Sequence, residues 1–203
     1  MIFSESNVHP EVRDDDFKRF LRFPPARAFE GPLAENAEWV RHWYARRGRP
    51  WCCAREVGIE VVPDAGLRLN GQLYGSPLVA GRFCDATSAI VVAASAGVEA
   101  DEEAAARWAV DEPDRYFFVE CYAAAVVEAL LLKAGRRLAA WSQPRLLSRH
   151  YCPGYPGWPV TDTPAFLELV RGNDPLPGPL DTLSSGMLRP KNPSSLSLAC
   201  HTR

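Results

Sequence analysis

Between Arg149 and Pro159 the chain reads Arg-His-Tyr-Cys-Pro-Gly-Tyr-Pro-Gly-Trp-Pro, with three prolines and two glycines in eleven residues. Each proline fixes its own φ and removes a backbone donor, while each glycine loosens the backbone. Neither a helix nor a central strand can run through such a stretch, so it is expected to be an irregular, extended loop. Its amides and carbonyls have no ladder to join and must find water, neighbouring elements or a ligand. Gly154 lets a ligand lie against the backbone. Tyr151, Tyr155 and Trp158 offer flat surfaces with polar tips, and Arg149 and His150 offer a cation or donor. This inventory suits a ligand with a purine, a carboxylate and an amine. A rigid surface loop with a structural role is the alternative reading of the same residues.

The rest of the chain is built to fold around that loop. At 203 residues it suits one domain, or a domain with a small extension. Apolar residues make up 47%, enough for a sizeable core, so wholesale disorder is not expected. A formal charge of -2 gives no basic excess to attract nucleic acid or an anionic membrane, and neither partner is expected. The longest apolar stretch, Ala123 to Leu132, is broken by Glu128 and is too short to span a bilayer. Met1 is followed by neither a basic start nor an apolar signal core, which makes a cytoplasmic location the expectation. Cysteines fall at 52, 53, 84, 121, 152 and 200, without a CxxC or a Cys/His cluster of zinc spacing. Free thiols and no metal site are expected. The vicinal pair Cys52-Cys53 is read as packing, because neighbours rarely form a strain-free bridge.

Elements can be placed by period and punctuation. Asp14-Asp15-Asp16 is placed to cap a short helix through Phe17, Phe20, Leu21 and Phe23, ended by Pro24-Pro25. A second helix from Pro32 carries Trp39, Val40, Trp43 and Tyr44 on one face and stops at Gly48. Both tryptophans are expected in the core. Arg46, Arg47 and Arg49 around Gly48 fit a solvated helix end, or part of a docking face. The middle reads as β, with strands near Gly58–Val62 and Leu67–Leu69 and an Asn70-Gly71 hairpin into Gln72–Tyr74. Ala89 to Ala94 is a continuous apolar run, either a buried strand or a buried helix turn. The longest helix is expected from Pro113-Asp114 to about Leu132, and the last one from Thr163 to Val170, closed by Gly172. Short extended pieces are expected at Gly186–Leu188 and Ser195–Leu198. Helices and strands mix without regular βαβ alternation, which favours α+β.

Common catalytic signatures are missing: the sequence has no GxxxxGK[ST], GxSxG or HExxH. Gly97 alone follows the apolar run where a dinucleotide turn needs three glycines. Glu120 and Glu128 lie eight apart, two turns of one helix, and so share a face of an otherwise apolar element. A carboxylate there needs a donor or cation. It can orient the loop or a ligand's ammonium, or be satisfied by Arg136, Arg149 or backbone amides.

Four segments together resemble the activation (reactivation) domain of cobalamin-dependent methionine synthase in a stand-alone form. They are Phe17 to Phe23, Ala89 to Gly97, Glu120 to Leu130, and the PGYxxWP core of His150 to Pro159. The last is coupled to Ser185-Gly-Met-Leu-Arg-Pro190 and Ser195-Leu-Ser197. The resemblance implies an α+β domain with a bent, mostly antiparallel sheet and flanking helices over 31–203, with 1–30 as an N-terminal extension holding a short helix. It implies S-adenosylmethionine bound in a shallow groove, with Arg149, His150, Cys152, Gly154, Tyr155 and Glu128 as binding residues. The family arginine five residues before the tyrosine is His150 here, and Arg149 lies one residue earlier. The implied role is a module that supports reductive methylation of cob(II)alamin, with cobalamin reached only through a partner. That partner would be a corrinoid-binding methionine synthase or methyltransferase subunit, with an electron donor such as a flavodoxin. A self-sufficient S-adenosylmethionine-dependent transferase with its own acceptor is the alternative, since fold does not fix function. A ligand-binding or scaffold protein is a third reading.

Overall fold

The computed structural model describes residues 1–143, 146–148, 150–190 and 194–202. Its centre is β6 (Ala86–Ser95), paired on one side with β2 (Trp51–Val57) and on the other with β10 (Ser194–Thr202). β1 (Phe3–Ser6) and β7 (Leu146–Leu147) complete a five-stranded sheet in the order β1-β2-β6-β10-β7, antiparallel at every pairing. The run at 89–94 is thus a strand. Ala89, Val91 and Ala93 pack into one core cluster, and Ile90, Val92 and Ala94 into another. A strand covered on both faces has no solvent side to mark with polar residues, which is why its sequence does not alternate.

One face carries α1 (Asp14–Phe20), α2 (Pro32–Arg47), α4 (Val98–Ala109) and α5 (Pro113–Ser142). The first thirty residues contribute β1 and Phe17, whose buried ring meets Phe118, Tyr122 and Phe29 edge-on. In α2, Val40 and Tyr44 are buried, and the Tyr44 hydroxyl donates to the Ala96 carbonyl at 2.6 Å. The expectation for Trp39 and Trp43 is corrected: both are only half-buried against this core. Arg107 and Arg115 lie over the Trp39 ring at 5.6 and 4.9 Å, so cations rather than apolar groups finish its packing.

α5 continues ten residues past the expected end at Leu132. Ala134, Leu138 and Ser142 extend its buried stripe at i, i+4 and i+8, and nothing crowds the site of a Cβ on Gly135. The apolar face outweighs one glycine.

The opposite face carries a second sheet of β3 (Ile59–Val62), β4 (Gly66–Leu69) and β5 (Gln72–Tyr74), with α3 (Pro77–Arg82) beside it. Asn70 and Gly71 both have positive φ, 46° and 91°, as a two-residue hairpin turn requires. α6 (Thr163–Arg171) follows a 3-10 turn at Val160–Asp162, and the short hairpin of β8 (Asp181–Thr182) and β9 (Leu188–Arg189) precedes β10. The architecture is α+β, with helices on one face of the main sheet and a small sheet with two helices on the other. Among the described residues, no helix is long and apolar enough to cross a membrane, and no group of three or more His, Cys, Asp or Glu is placed to hold a metal ion.

Candidate functional site

The Pro/Gly loop is moored to the central sheet at Tyr151. Tyr151 exchanges two backbone hydrogen bonds with Leu198 of β10, at 2.8 and 2.7 Å. Its ring is buried, and its hydroxyl donates to the Pro156 carbonyl at 2.6 Å, stapling the loop to itself. Inside the loop the amides of Tyr155, Trp158 and Gly154 donate to the carbonyls of Cys152, Tyr155 and Trp158. Irregular backbone therefore satisfies itself through turns and one bridge.

The three aromatics divide the labour differently from the expectation. Tyr151 and Trp158 are buried and stack at 6.3 Å, and Trp158 meets Phe166 of α6 edge-on. They anchor the loop and offer no ligand surface. Tyr155 alone of the three is exposed, at 46%, its ring edge-on to Tyr151 at 5.0 Å. A sequence shows that the rings are present but not which of them the core swallows.

Gly154 sits beside Tyr155 with φ +95°, and the space where its Cβ would stand is open. Its backbone is thus bare on the outer side, in a conformation that other residues reach only with strain. The Cys152 thiol is part-buried and within hydrogen-bonding reach of the Tyr155 hydroxyl; burial pushes it up to about 11, and the hydroxyl offsets part of that rise. The thiol is therefore neutral near pH 7. The Tyr155 hydroxyl is itself raised, first by Cys152, then by burial, with the Glu128 carboxylate adding to it. Cys152 and Tyr155 are therefore within reach of each other beside Gly154, and the Glu128 carboxylate acts on Tyr155 only through its charge.

His150 lines a different cavity from Cys152. It is exposed and borders a separate cavity of about 150 Å³ under α5, with Leu138, Leu147 and Ser197 among its walls. Arg149 lies outside the described residues. Among the described residues, the Glu128 carboxylate takes the guanidinium of Arg19, from α1, 109 residues away in sequence. Arg19 also stands 3.8 Å from Asp16 and over the Phe20 ring at 5.0 Å. The two side chains of the pair are 55% and 35% exposed, so the pair adds only about 0–1 kcal/mol to stability. No short-range pattern in the sequence marks Arg19. The one available signal was the unpaired acid on an apolar helix face. Glu120, two turns back, faces Trp108 and Tyr116 instead.

Along the other flank of the loop runs a cavity of about 230 Å³. Cys152 and Pro153 meet Gly186, Met187, Leu188 and Ser195 across it, so the two most distinctive sequence segments share one groove. A larger hollow of about 710 Å³ lies between α2 and α4, lined by Trp39, Trp43 and charges of both signs, and shares no residue with the loop. The narrower groove better fits the loop's inventory, since it adjoins bare backbone and an exposed ring.

No family model matches the chain, and no curated protein matches its sequence. Among solved structures it is similar to a crystal structure of the MetH reactivation domain bound to AdoHcy, at a TM-score of 0.65 and 13% identity. The match covers 98% of this chain and 78% of that one. The chain thus has the fold of that domain over nearly its whole length.

Proposed function

We propose that the chain binds S-adenosylmethionine in the groove along the Pro/Gly loop and acts in trans as a reactivation module. Its partner is a corrinoid-dependent methyltransferase, such as a methionine synthase or a related subunit. One observation carries the reading: the loop that resembles the family's ligand loop sits on the reactivation-domain fold with its Gly154 backbone bare and its Tyr155 ring exposed.

The residues fit such a ligand by their chemistry. Gly154 allows close approach to main-chain atoms, and Tyr155 offers a ring face and a hydroxyl. Glu128 offers a carboxylate for a cationic group. When bound, the ligand would supply an electrophilic methyl to the partner's corrinoid cobalt and leave as S-adenosylhomocysteine, with one electron coming from an external donor such as a flavodoxin. The chain's own part is to hold and orient the ligand, which lowers the barrier through positioning rather than proton transfer. Cys152 is neutral near pH 7 and no base in the groove is needed.

The transferase alternative would require a general base. His150 is the loop's candidate for that base.

The test combines calorimetry with reconstitution. The chain is expected to bind S-adenosylmethionine and S-adenosylhomocysteine and to give no heat with free cobalamin. Methylation should then need a cob(II)alamin-loaded corrinoid protein, a one-electron donor and S-adenosylmethionine together. Multiple turnovers without any corrinoid, abolished in His150→Arg, would establish the transferase instead, because a guanidinium cannot accept a proton.

A further inference from the structure

The hollow between α2 and α4 has two walls, and each is one helical face. On α2, Trp39, Trp43, Arg46 and Arg47 recur at i, i+4, i+7 and i+8; on α4, Glu99, Glu102, Glu103 and Arg107 recur at i, i+3, i+4 and i+8. Arg107 pairs with Glu103 at 2.7 Å and lies over the Trp39 ring, so these three side chains satisfy one another. The remaining charges do not close. Arg46, Arg47 and Glu102 have no ion-pair or hydrogen-bond partner among the described residues, although the facing walls carry opposite signs. One oxygen of Glu99, Oε2, is buried without a partner among the described residues. It and the Arg49 carbonyl oxygen both crowd the point where a Cβ on Gly97 would stand. That corner is rich in acceptors, and a ligand N–H would relieve the cost of leaving the carboxylate oxygen unpaired. The last torsion of a glutamate is soft, so rotating the carboxylate turns this oxygen to the hollow.

We propose that this hollow is a second ligand site, separate from the loop groove, and that it takes a guanine nucleotide. The base lies on the Trp43 ring, its N–H edge meets Glu99, and the phosphate lies against Arg46 and Arg47. A volume of about 710 Å³ is in the range of small-molecule sites. Arg107 and Arg115 already occupy the Trp39 ring, whereas no cation among the described residues lies over Trp43, which leaves that indole as the stacking surface. A carboxylate only accepts hydrogen bonds. Guanine presents it with two adjacent donors, N1–H and the 2-amino group, while adenine sets the bare acceptor N1 beside its amino group. Guanidinium groups match phosphate oxygens in geometry and charge. The acidic wall of α4 repels a phosphate laid the other way round, which fixes the direction of the ligand.

The experiment is calorimetry on the full chain with GMP, AMP and guanosine, each titrated with and without saturating S-adenosylhomocysteine. The parent is expected to bind GMP about tenfold or more tighter than either other probe, with the same affinity in both conditions. Arg46 and Arg47 are exposed, so Arg46→Gln and Arg47→Gln should keep the parent melting temperature. Each should weaken GMP about tenfold and guanosine less than about twofold. Glu99→Gln should bring GMP and AMP close to equal affinity, because an amide both donates and accepts. No heat with GMP, equal affinities for GMP and AMP in the parent, or arginine variants that leave GMP unchanged or weaken guanosine as much would overturn the site. Displacement of GMP by S-adenosylhomocysteine would place the nucleotide in the loop groove and overturn it too. A chain that takes GMP but no S-adenosylhomocysteine overturns the loop reading and leaves this site standing.

Discussion

At the scale of single residues, the groove places opposite demands on Gly154 and Tyr155. Tyr155→Ala removes an exposed ring and its hydroxyl, so binding of S-adenosylhomocysteine should weaken by about tenfold or more, with the melting temperature nearly unchanged, as for other surface substitutions. Gly154→Val acts through the backbone: a β-branched residue at φ +95° costs about 1–3 kcal/mol. It should lower both affinity and melting temperature, and calorimetry beside thermal melts separates the two. Tyr155→Ala binding like the parent would move the groove elsewhere. A different residue tests the loop's surroundings. Ser76, just before α3, has a hydroxyl oxygen that is buried without a hydrogen-bond partner among the described residues. Removing an unsatisfied buried group relieves its desolvation cost, so Ser76→Ala should melt at the parent temperature or above it. A clear drop in a thermal melt would contradict this account of the site.

Among the elements, α5 is the most telling. Its last ten residues keep a buried stripe, with Leu138 at 1% exposure, while Leu132 is 42% exposed. Leu138→Ala should therefore cost about 2–5 kcal/mol in denaturant unfolding, against about 0.5 kcal/mol or less for Leu132→Ala. Similar costs for the two would mean the helix does not pack along its full length. The start of α5 at Pro113 was legible because proline suits the first helical turn. Its end was not, because only the sheet beneath shows that 134, 138 and 142 still have something to cover. α2 was legible at both ends, from Pro32 to Gly48, since a start signal, a periodic face and a terminator all agreed. Its tryptophans were not, because helical spacing identifies a face but not how much of that face the neighbours cover.

For the whole molecule, the distribution of thiols sets a pH limit. Cys52, Cys53, Cys121, Cys152 and Cys200 are all part-buried or buried, and burial raises each from near 9 to about 11 or 12. When the chain unfolds, those thiols ionise near pH 9, whereas the folded ones hold their protons until about pH 11 or 12. The unfolded state thus binds fewer protons across that window and gains as pH rises. Stability is full below about pH 9 and falls between there and about pH 12. Melting temperatures measured from pH 7 to 11 should hold level and then decline, with a shallower decline in Cys200→Ala. A level parent curve to pH 11 would refute this. Cys84 is the exposed thiol. It should be alkylated first by a maleimide under native conditions, with Cys200 and Cys53 modified only after unfolding.

Local chemistry was sufficient to determine much of this molecule. The Pro/Gly loop, the Asn70-Gly71 hairpin, α2, α6 and the mixed α+β class follow from backbone restrictions, turn residues and periodicity, all of which act within a few positions of the chain. Tertiary structure decided what those terms cannot reach. It settled that the run at 89–94 is a strand covered on both sides, because that depends on β2 and β10 lying beside it. It settled that Tyr151 and Trp158 turn inward and Tyr155 outward, because α6 and β10 occupy one side of the loop. It also gave Glu128 its partner from α1, since a long-range ion pair is chosen by where two elements pack and not by any spacing written along either one.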